Sequence, residues 1–173
     1  ADDEILLLLR VAERPLSGTM PTDAVVLDLT GRVPTAVPST PSPGAAAGYV
    51  AFSMLDLTTT TPGIVTRYLP RDLPGLDLSD PRSIRYEGQT FLTSISHLRL
   101  ARSADGIHFQ VDDQPAIAPG NIQEEFGCED PRITRIGDTF YVAYTAVSRY
   151  GIGTALARSS DLRTFERLGV AFY

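Results

Sequence analysis

Asp80-Pro81-Arg82-Ser83-Ile84-Arg85 returns 50 residues later as Asp130-Pro131-Arg132-Ile133-Thr134-Arg135. The echo extends outward. Thr90-Phe91 returns as Thr139-Phe140, each just after a glycine-containing turn. Ala101-Arg102-Ser103-Ala104-Asp105 returns as Ala157-Arg158-Ser159-Ser160-Asp161, and Phe109 as Phe165. Between these marks lie short runs rich in β-formers, bounded by turn residues. They are Ile5–Val11, Val25–Leu29, Gly48–Leu55, Ile64–Tyr68, Thr90–Ile95, His97–Ser103, Thr139–Ala146 and Thr154–Ser159. No stretch keeps apolar residues at helical spacing over three turns. The pattern is that of an all-β chain built from hairpins. A repeat of about 40–50 residues with about four short strands fits a β-propeller blade. A single four-stranded sheet cannot bury both faces, so neighbours must cover it. A two-fold duplicated β-sandwich is the alternative.

The chain has 173 residues, with 15 Lys+Arg against 21 Asp+Glu and a net charge of −6. That length holds one domain with a sizeable core. It also holds only about two and a half to three such repeats, where a closed propeller needs about four or more. The first residues open almost inside a strand, and Gly169-Val170-Ala171-Phe172-Tyr173 ends on an apolar run. The expectation is a piece of a longer propeller, residues 1–173 being a partial β-propeller domain. The segment at about 19–79 reads as a long insertion or loop, because Pro34 to Gly48 is Pro/Ser/Thr/Ala/Gly-rich and uncharged.

The acidic balance argues against nucleic acid as a partner, since phosphate backbones need a basic face. The only aliphatic run, Ile5 to Leu9, is far short of the roughly 20 residues a membrane helix needs. A single cysteine, Cys128, excludes an internal disulfide and suits a reducing, cytoplasmic compartment. His97 and His108 are the only histidines, so no clustered ligand set suggests a metal. There is no nucleophile elbow, P-loop or dinucleotide fingerprint. Two carboxylates around a glycosidic bond remain open.

The densest constellation is Glu124-Glu125-Phe126-Gly127-Cys128-Glu129-Asp130-Pro131-Arg132, with four carboxylates in seven residues. Proline places Asp130 at a strand entrance. Crowded carboxylates repel, which favours keeping one protonated as a general acid. The structural reading competes: a solvated acidic loop, with Asp130 capping amides or pairing with Arg132. Asp80-Pro81-Arg82 shows that the tripeptide also serves as a blade-start device. Downstream lie Arg149, Arg158, Arg163 and Arg167, whose planar forks suit phosphate or carboxylate. Arg158 repeats Arg102, so it and Arg163 read as surface charge. His108 sits in the blade turn and reads as structural. His97 reads as lying on a strand edge beside Arg99, where it could line a polar pocket.

Glu129-Asp130-Pro131-Arg132-Ile133-Thr134, followed by Tyr141-Val142-Ala143-Tyr144-Thr145-Ala146-Val147-Ser148, resembles the mannoside phosphorylases of glycoside hydrolase family one hundred and thirty. So do the segments Leu100 to Phe109 and Phe165 to Gly169, while Leu7 to Val11 resembles the family's early strand. The resemblance implies a five-bladed β-propeller. It implies inverting phosphorolysis of β-mannosides to α-mannose 1-phosphate, with inorganic phosphate as co-substrate and no cofactor. By resemblance Asp130 is the general acid, acting through the mannose 3-hydroxyl. Arg149 and Arg167 match the phosphate-binding arginines, while Arg10 and His97 fall where the family binds mannose. An inverting β-mannosidase and a non-catalytic sugar-binding propeller or inactive fragment are the alternatives. Keeping both arginines favours the phosphorylase. The resemblance leans toward β-1,2 over β-1,4 linkages and leaves a homo-oligomer open. The family's downstream Lys-Asp pair and His-Arg-Pro lie beyond this sequence.

Overall fold

The computed structural model describes residues 4–15, 24–28, 35–38, 45–58, 60 and 62–173. The strands are β1 (Ile5–Glu13), β2 (Val25–Asp28), β3 (Thr35–Pro38), β4 (Tyr49–Asp56), β5 (Gly63–Pro70), β6 (Ser83–Tyr86), β7 (Gln89–Leu92), β8 (Ile95–Ser103), β9 (Gln110–Val111), β10 (Gly127–Ile136), β11 (Thr139–Ser148), β12 (Gly151–Ser159) and β13 (Glu166–Phe172). Helical structure among the described residues is limited to 3-10 turns at Ala45–Gly48 and Ile122–Glu124. The all-β expectation holds. Among the described residues, no helix is long and apolar enough to cross a membrane.

The chain divides into two compact units, Ala1–Ala12 with Ser96–Tyr173, and Glu13–Ile95. The second unit holds a four-stranded sheet, ordered β3-β2-β5-β4, and the β6-β7 hairpin. The segment expected as an insertion or loop therefore carries strands β2 to β5. Part of the Pro34–Gly48 stretch is itself strand β3 and a 3-10 turn. Strand β4 is buried on both faces, at Phe52 on one and at Ser53 and Leu55 on the other, and its ladder with β5 is regular from Tyr49↔Pro70 to Asp56↔Gly63. Phe52 packs on Phe91 with ring centroids 4.9 Å apart, inside the favourable range for an aromatic pair.

The first unit is built on a sheet ordered β1-β8-β10-β11-β12-β13, with β9 on β8. Strands β10 to β13 form an antiparallel meander. Period-two burial sets its inner face: Val142, Tyr144 and Ala146 on β11 meet Ala155 and Ala157 on β12. Leu98, Ile117 and Cys128 complete that core. The large Tyr144 is paired with the small Ala155 on β12, and volume matching of this kind keeps an interior free of voids.

The repeat seen in the sequence is a repeated turn. Gly106 N–H donates to Ser103 Oγ at 2.8 Å, and Ile107 and His108 N–H donate to Asp105 Oδ1 at 2.9 and 2.8 Å. Fifty-six residues on, Leu162 N–H donates to Ser159 Oγ at 2.8 Å, and Arg163 and Thr164 N–H donate to Asp161 Oδ1 at 2.8 and 3.0 Å. Residue 106 has φ 75° and residue 162 has φ 54°. The second copy thus holds a leucine in a left-handed conformation that glycine takes without strain. Arg102–Asp112 and Arg158–Glu166 are matching ion pairs beside the two turns, at 2.9 and 2.7 Å.

One close approach joins β8 to β10. Gly127 is paired in parallel with Ser96 and has φ 138°. A Cβ there would lie 2.7 Å from Ser96 N and 3.0 Å from Ser96 O. Neither backbone atom can swing away. Gly127→Ala is expected to cost about 2–5 kcal/mol through strain and overpacking, read as a lower urea midpoint of the full-length protein; an unchanged midpoint would contradict the contact.

The turn aspartates also set a pH dependence. Hydrogen bonds from Thr164 and Arg163 backbone N–H hold the Asp161 carboxyl down at about 2. The His108 side chain, then the His108 N–H, hold Asp105 lower still. A native pKa below the unfolded value of about 3.9 contributes stability above that value and loses it as pH falls toward the native one. Stability should therefore fall between about pH 4 and pH 2. Asp161→Asn, which keeps the acceptor oxygen and removes the titration, should flatten that fall in urea melts; an equally steep fall would remove Asp161 from the explanation.

Candidate active site

The acidic segment preceding β10 divides into two clusters. Asn121 caps a single 3-10 turn by accepting from Gln123 N–H at 2.9 Å. This turn points Glu124 and Glu125 inward, and each is only 1% exposed. A buried carboxylate needs charged or hydrogen-bonding partners. Glu124 has three: the Tyr144 hydroxyl at 2.6 Å, Gly120 N–H at 2.8 Å and Arg167 Nε at 3.3 Å. Glu125 takes Nε of Arg149 at 2.8 Å and also its Nη2, a bidentate fork. Arg167 Nη2 donates to the Ala118 carbonyl. A Cβ on Gly120 would come within 3.3 Å of that same Nη2, so glycine leaves the guanidinium its place.

Both arginines stay charged. The bond to Glu125 raises Arg149 above its ordinary range against the opposing cost of burial. For Arg167 burial is the largest influence and opposes the charge, yet Glu124 together with Tyr144 and Cys128 raises it above its ordinary range. Burial first, then the hydrogen bond to Glu124, pushes the Tyr144 phenol up, so it remains a donor. Burial likewise pushes the Cys128 thiol up, making it an inert part of the core. Their side chains keep an outer surface: Arg149 is 48% exposed and Arg167 37%. Crowded carboxylates were expected to repel one another. Instead, Glu124 and Glu125 each hold their own arginine.

The second cluster surrounds Asp130. This residue lies inside β10, at a bulge between Glu129 and Arg132 in the ladder with β11. That corrects the strand-entrance expectation: the ladder resumes at Arg132↔Ala143, past a proline that has no N–H to lose. Asp130 has φ 48°, a region aspartate tolerates better than most residues. Its side chain is 60% exposed, with Oδ1 3.5 Å from Arg10 Nη1. Arg10 Nη2 contacts Glu129 Oε1 at 2.8 Å, and Arg10 Nε donates to Ser96 Oγ at 3.2 Å. Ser96 Oγ in turn donates to Glu129 Oε1 at 3.0 Å.

The two Asp-Pro-Arg copies differ. Asp80 receives Arg82 N–H at 2.9 Å and both arms of the Arg82 guanidinium at 3.0 Å, which hold it down at about 2. Arg132 instead donates to the Pro131 carbonyl at 2.9 Å. Asp130 thus meets Arg10, not Arg132, and the capping reading fits only the first copy.

The other candidates fall out as follows. Arg10, on β1, joins the Asp130 cluster. His97 is 2% exposed on β8, which lies between β1 and β10 and so is not a strand edge. Its Nε2 accepts from Arg99 Nε at 2.9 Å. Arg158 pairs with Glu166 and Arg163 with Glu4, at 2.7 and 3.4 Å, in keeping with surface charge. His108 serves the turn, with Nδ1 2.7 Å from Asp105 Oδ2. Ser96, Tyr144 and the buried roles of Glu124 and Glu125 escaped the sequence reading. The signal available was the match of two adjacent acids with two downstream arginines. Among the described residues no group of three or more His, Cys, Asp or Glu could hold a metal ion.

A family profile described as beta-1,4-mannooligosaccharide phosphorylase, glycoside hydrolase family 130, matches residues 80–173. A protein of Listeria innocua named beta-1,2-mannobiose phosphorylase is 45% identical over 100 residues, covering 56% of this chain and 28% of that protein. A Thermoanaerobacter protein named 1,2-beta-oligomannan phosphorylase is 39% identical over 79 residues, covering 44% of this chain and 27% of that protein. The solved complex of the Listeria innocua beta-1,2-mannobiose phosphorylase with beta-1,2-mannobiose superimposes on all of this chain with a TM-score of 0.73 at 33% identity, and the chain covers 42% of it. The chain therefore spans less than half the length of each of these relatives. With more than half of its residues matched by the profile, both clusters among them save Arg10, the chain belongs to glycoside hydrolase family 130.

Proposed function

We propose that the protein carrying this chain phosphorolyses β-mannosides, β-1,2-linked by preference, with inversion to α-mannose 1-phosphate. The observation that carries the proposal is the pair of arginines anchored on adjacent buried glutamates, in a chain whose relatives are named as mannoside phosphorylases. In a single displacement a phosphate oxygen attacks the anomeric carbon as the glycosidic C–O bond breaks. The departing oxygen takes a proton. Asp130 supplies it, relayed by the sugar's 3-hydroxyl. Phosphate brings its own nucleophilic oxygen, so no second carboxylate base is required, unlike water in an inverting hydrolase. It requires donors to hold it, and Arg149 and Arg167 supply them.

Arg10 lies beside Asp130 on the sugar side. His97, whose Nε2 accepts from Arg99 Nε, is kept in the proposal as a mannose-side residue on the family resemblance alone. The five-bladed propeller is part of the proposal: the β10–β13 meander has the four antiparallel strands of one blade. The buried free thiol of Cys128 supports a cytoplasmic setting.

Two measurements test the reading. Incubation of the full-length protein with β-1,2-mannobiose should yield mannose 1-phosphate only when phosphate is present. Free mannose regardless of phosphate would make it a hydrolase, and binding without turnover a sugar-binding protein. Asp130→Asn should lower kcat by about 10²–10⁴-fold, the usual worth of a general acid, while keeping the fold, since asparagine accepts the same left-handed backbone. Full activity in that variant would remove Asp130 as the acid.

A further inference from the structure

Glu124 and Glu125 are neighbours in the chain, both are buried, and each grips a different arginine. Arg149 follows β11 and Arg167 lies in β13, so neither is close to the other in sequence. One short turn therefore sets where both guanidinium groups stand. The turn is itself supported: Asn121 caps it, and Gly120 N–H and Tyr144 Oη fix the Glu124 carboxylate. Burying two carboxylates is a poor way to stabilise a fold, since apolar residues of similar size commonly do as well. The arrangement makes sense as a means of orienting the arginines.

We infer that Glu124 and Glu125 are positioning residues that hold Arg167 and Arg149 as one fixed pair of forks for phosphate. The inference rests on the reading that these two arginines bind phosphate. A loose arginine must be ordered when the anion arrives, which weakens binding. Here the ordering is complete in the folded protein. Each glutamate also offsets one positive charge. Phosphate is then selected by directed N–H donors more than by net charge, and a guanidinium with five donors keeps some after its glutamate is satisfied.

The test uses the full-length protein and the isosteric variant Glu125→Gln. The KM for phosphate should rise about 10–100-fold, the worth of a hydrogen bond between charged groups. The KM for the mannoside and kcat should stay within about twofold. In an Arg149→Lys background the same change should add little, because its target is gone. An unchanged phosphate KM, or effects of the two substitutions that simply multiply, would overturn the inference. If Glu125→Gln does not fold, Glu125→Asp keeps the charge and withdraws it by one methylene, and carries the same test. If the protein proves indifferent to phosphate, the phosphorolysis reading falls while positioning is still decided by hydrogen exchange at Arg149 Nε. Protection lost in Glu125→Gln supports positioning; protection unchanged contradicts it.

Discussion

The site depends on the contact of Gly127 with Ser96. No side chain fits between the two backbones there. β10 is thereby drawn against β8, and the chain on either side of Gly127 takes opposite roles. The residues before it, Glu124 and Glu125, turn into the interior beneath β11 and β13. The residues after it, Glu129 and Asp130, come up beside Arg10 and Ser96. A single glycine in a conformation closed to other residues thus separates an arginine-anchoring cluster from an acid cluster within seven residues. The bulge at Asp130 adds the second constraint. It lifts one carboxylate out of the ladder and exposes it, while Glu129 and Arg132 on either side of the bulge remain paired.

The electrostatics follow from burial. Glu124 and Glu125 are adjacent in sequence, yet they are satisfied by separate cations and by the Tyr144 and Gly120 donors. The result is a pair of fixed guanidinium groups inside a chain of net charge −6. A cation that is already ion-paired attracts anions weakly at a distance. It recognises them at close range, by geometry. Under the proposed function, that suits an anion as small as phosphate better than long-range steering would.

The regular parts of the fold were legible because their physics is local. Runs of β-formers between turn residues mark β4 and β5, alternation marks β11 and β12, and Ser-x-Asp marks the two repeated turns, whose hydrogen bonds prove nearly identical. β10 was hidden, since charges and a proline are poor strand formers and only pairing with β11 makes the segment a strand. β13 was legible only at its apolar end, Gly169 to Tyr173: Glu166 and Arg167 give its start no apolar alternation, and its register with β12 is broken twice. Asp130 and the two arginines could be named from motif resemblance. The glutamates that hold those arginines could not, because the pairs span 24 and 43 residues and adjacent acids look repulsive until the fold supplies partners. His97 read as lying on a strand edge beside Arg99; its burial on β8 between β1 and β10 is a property of sheet order, which no local pattern encodes.

A crystal structure of the full-length protein with phosphate and mannose bound addresses the arginine pair and the acid together. One phosphate should bridge Arg149 and Arg167 at about 2.7–2.9 Å, the distance of charge-assisted bonds, with both arginines still on Glu125 and Glu124 and Asp130 on the sugar. Phosphate bound elsewhere, with the two guanidinium groups opening onto separate regions of solvent, would contradict it.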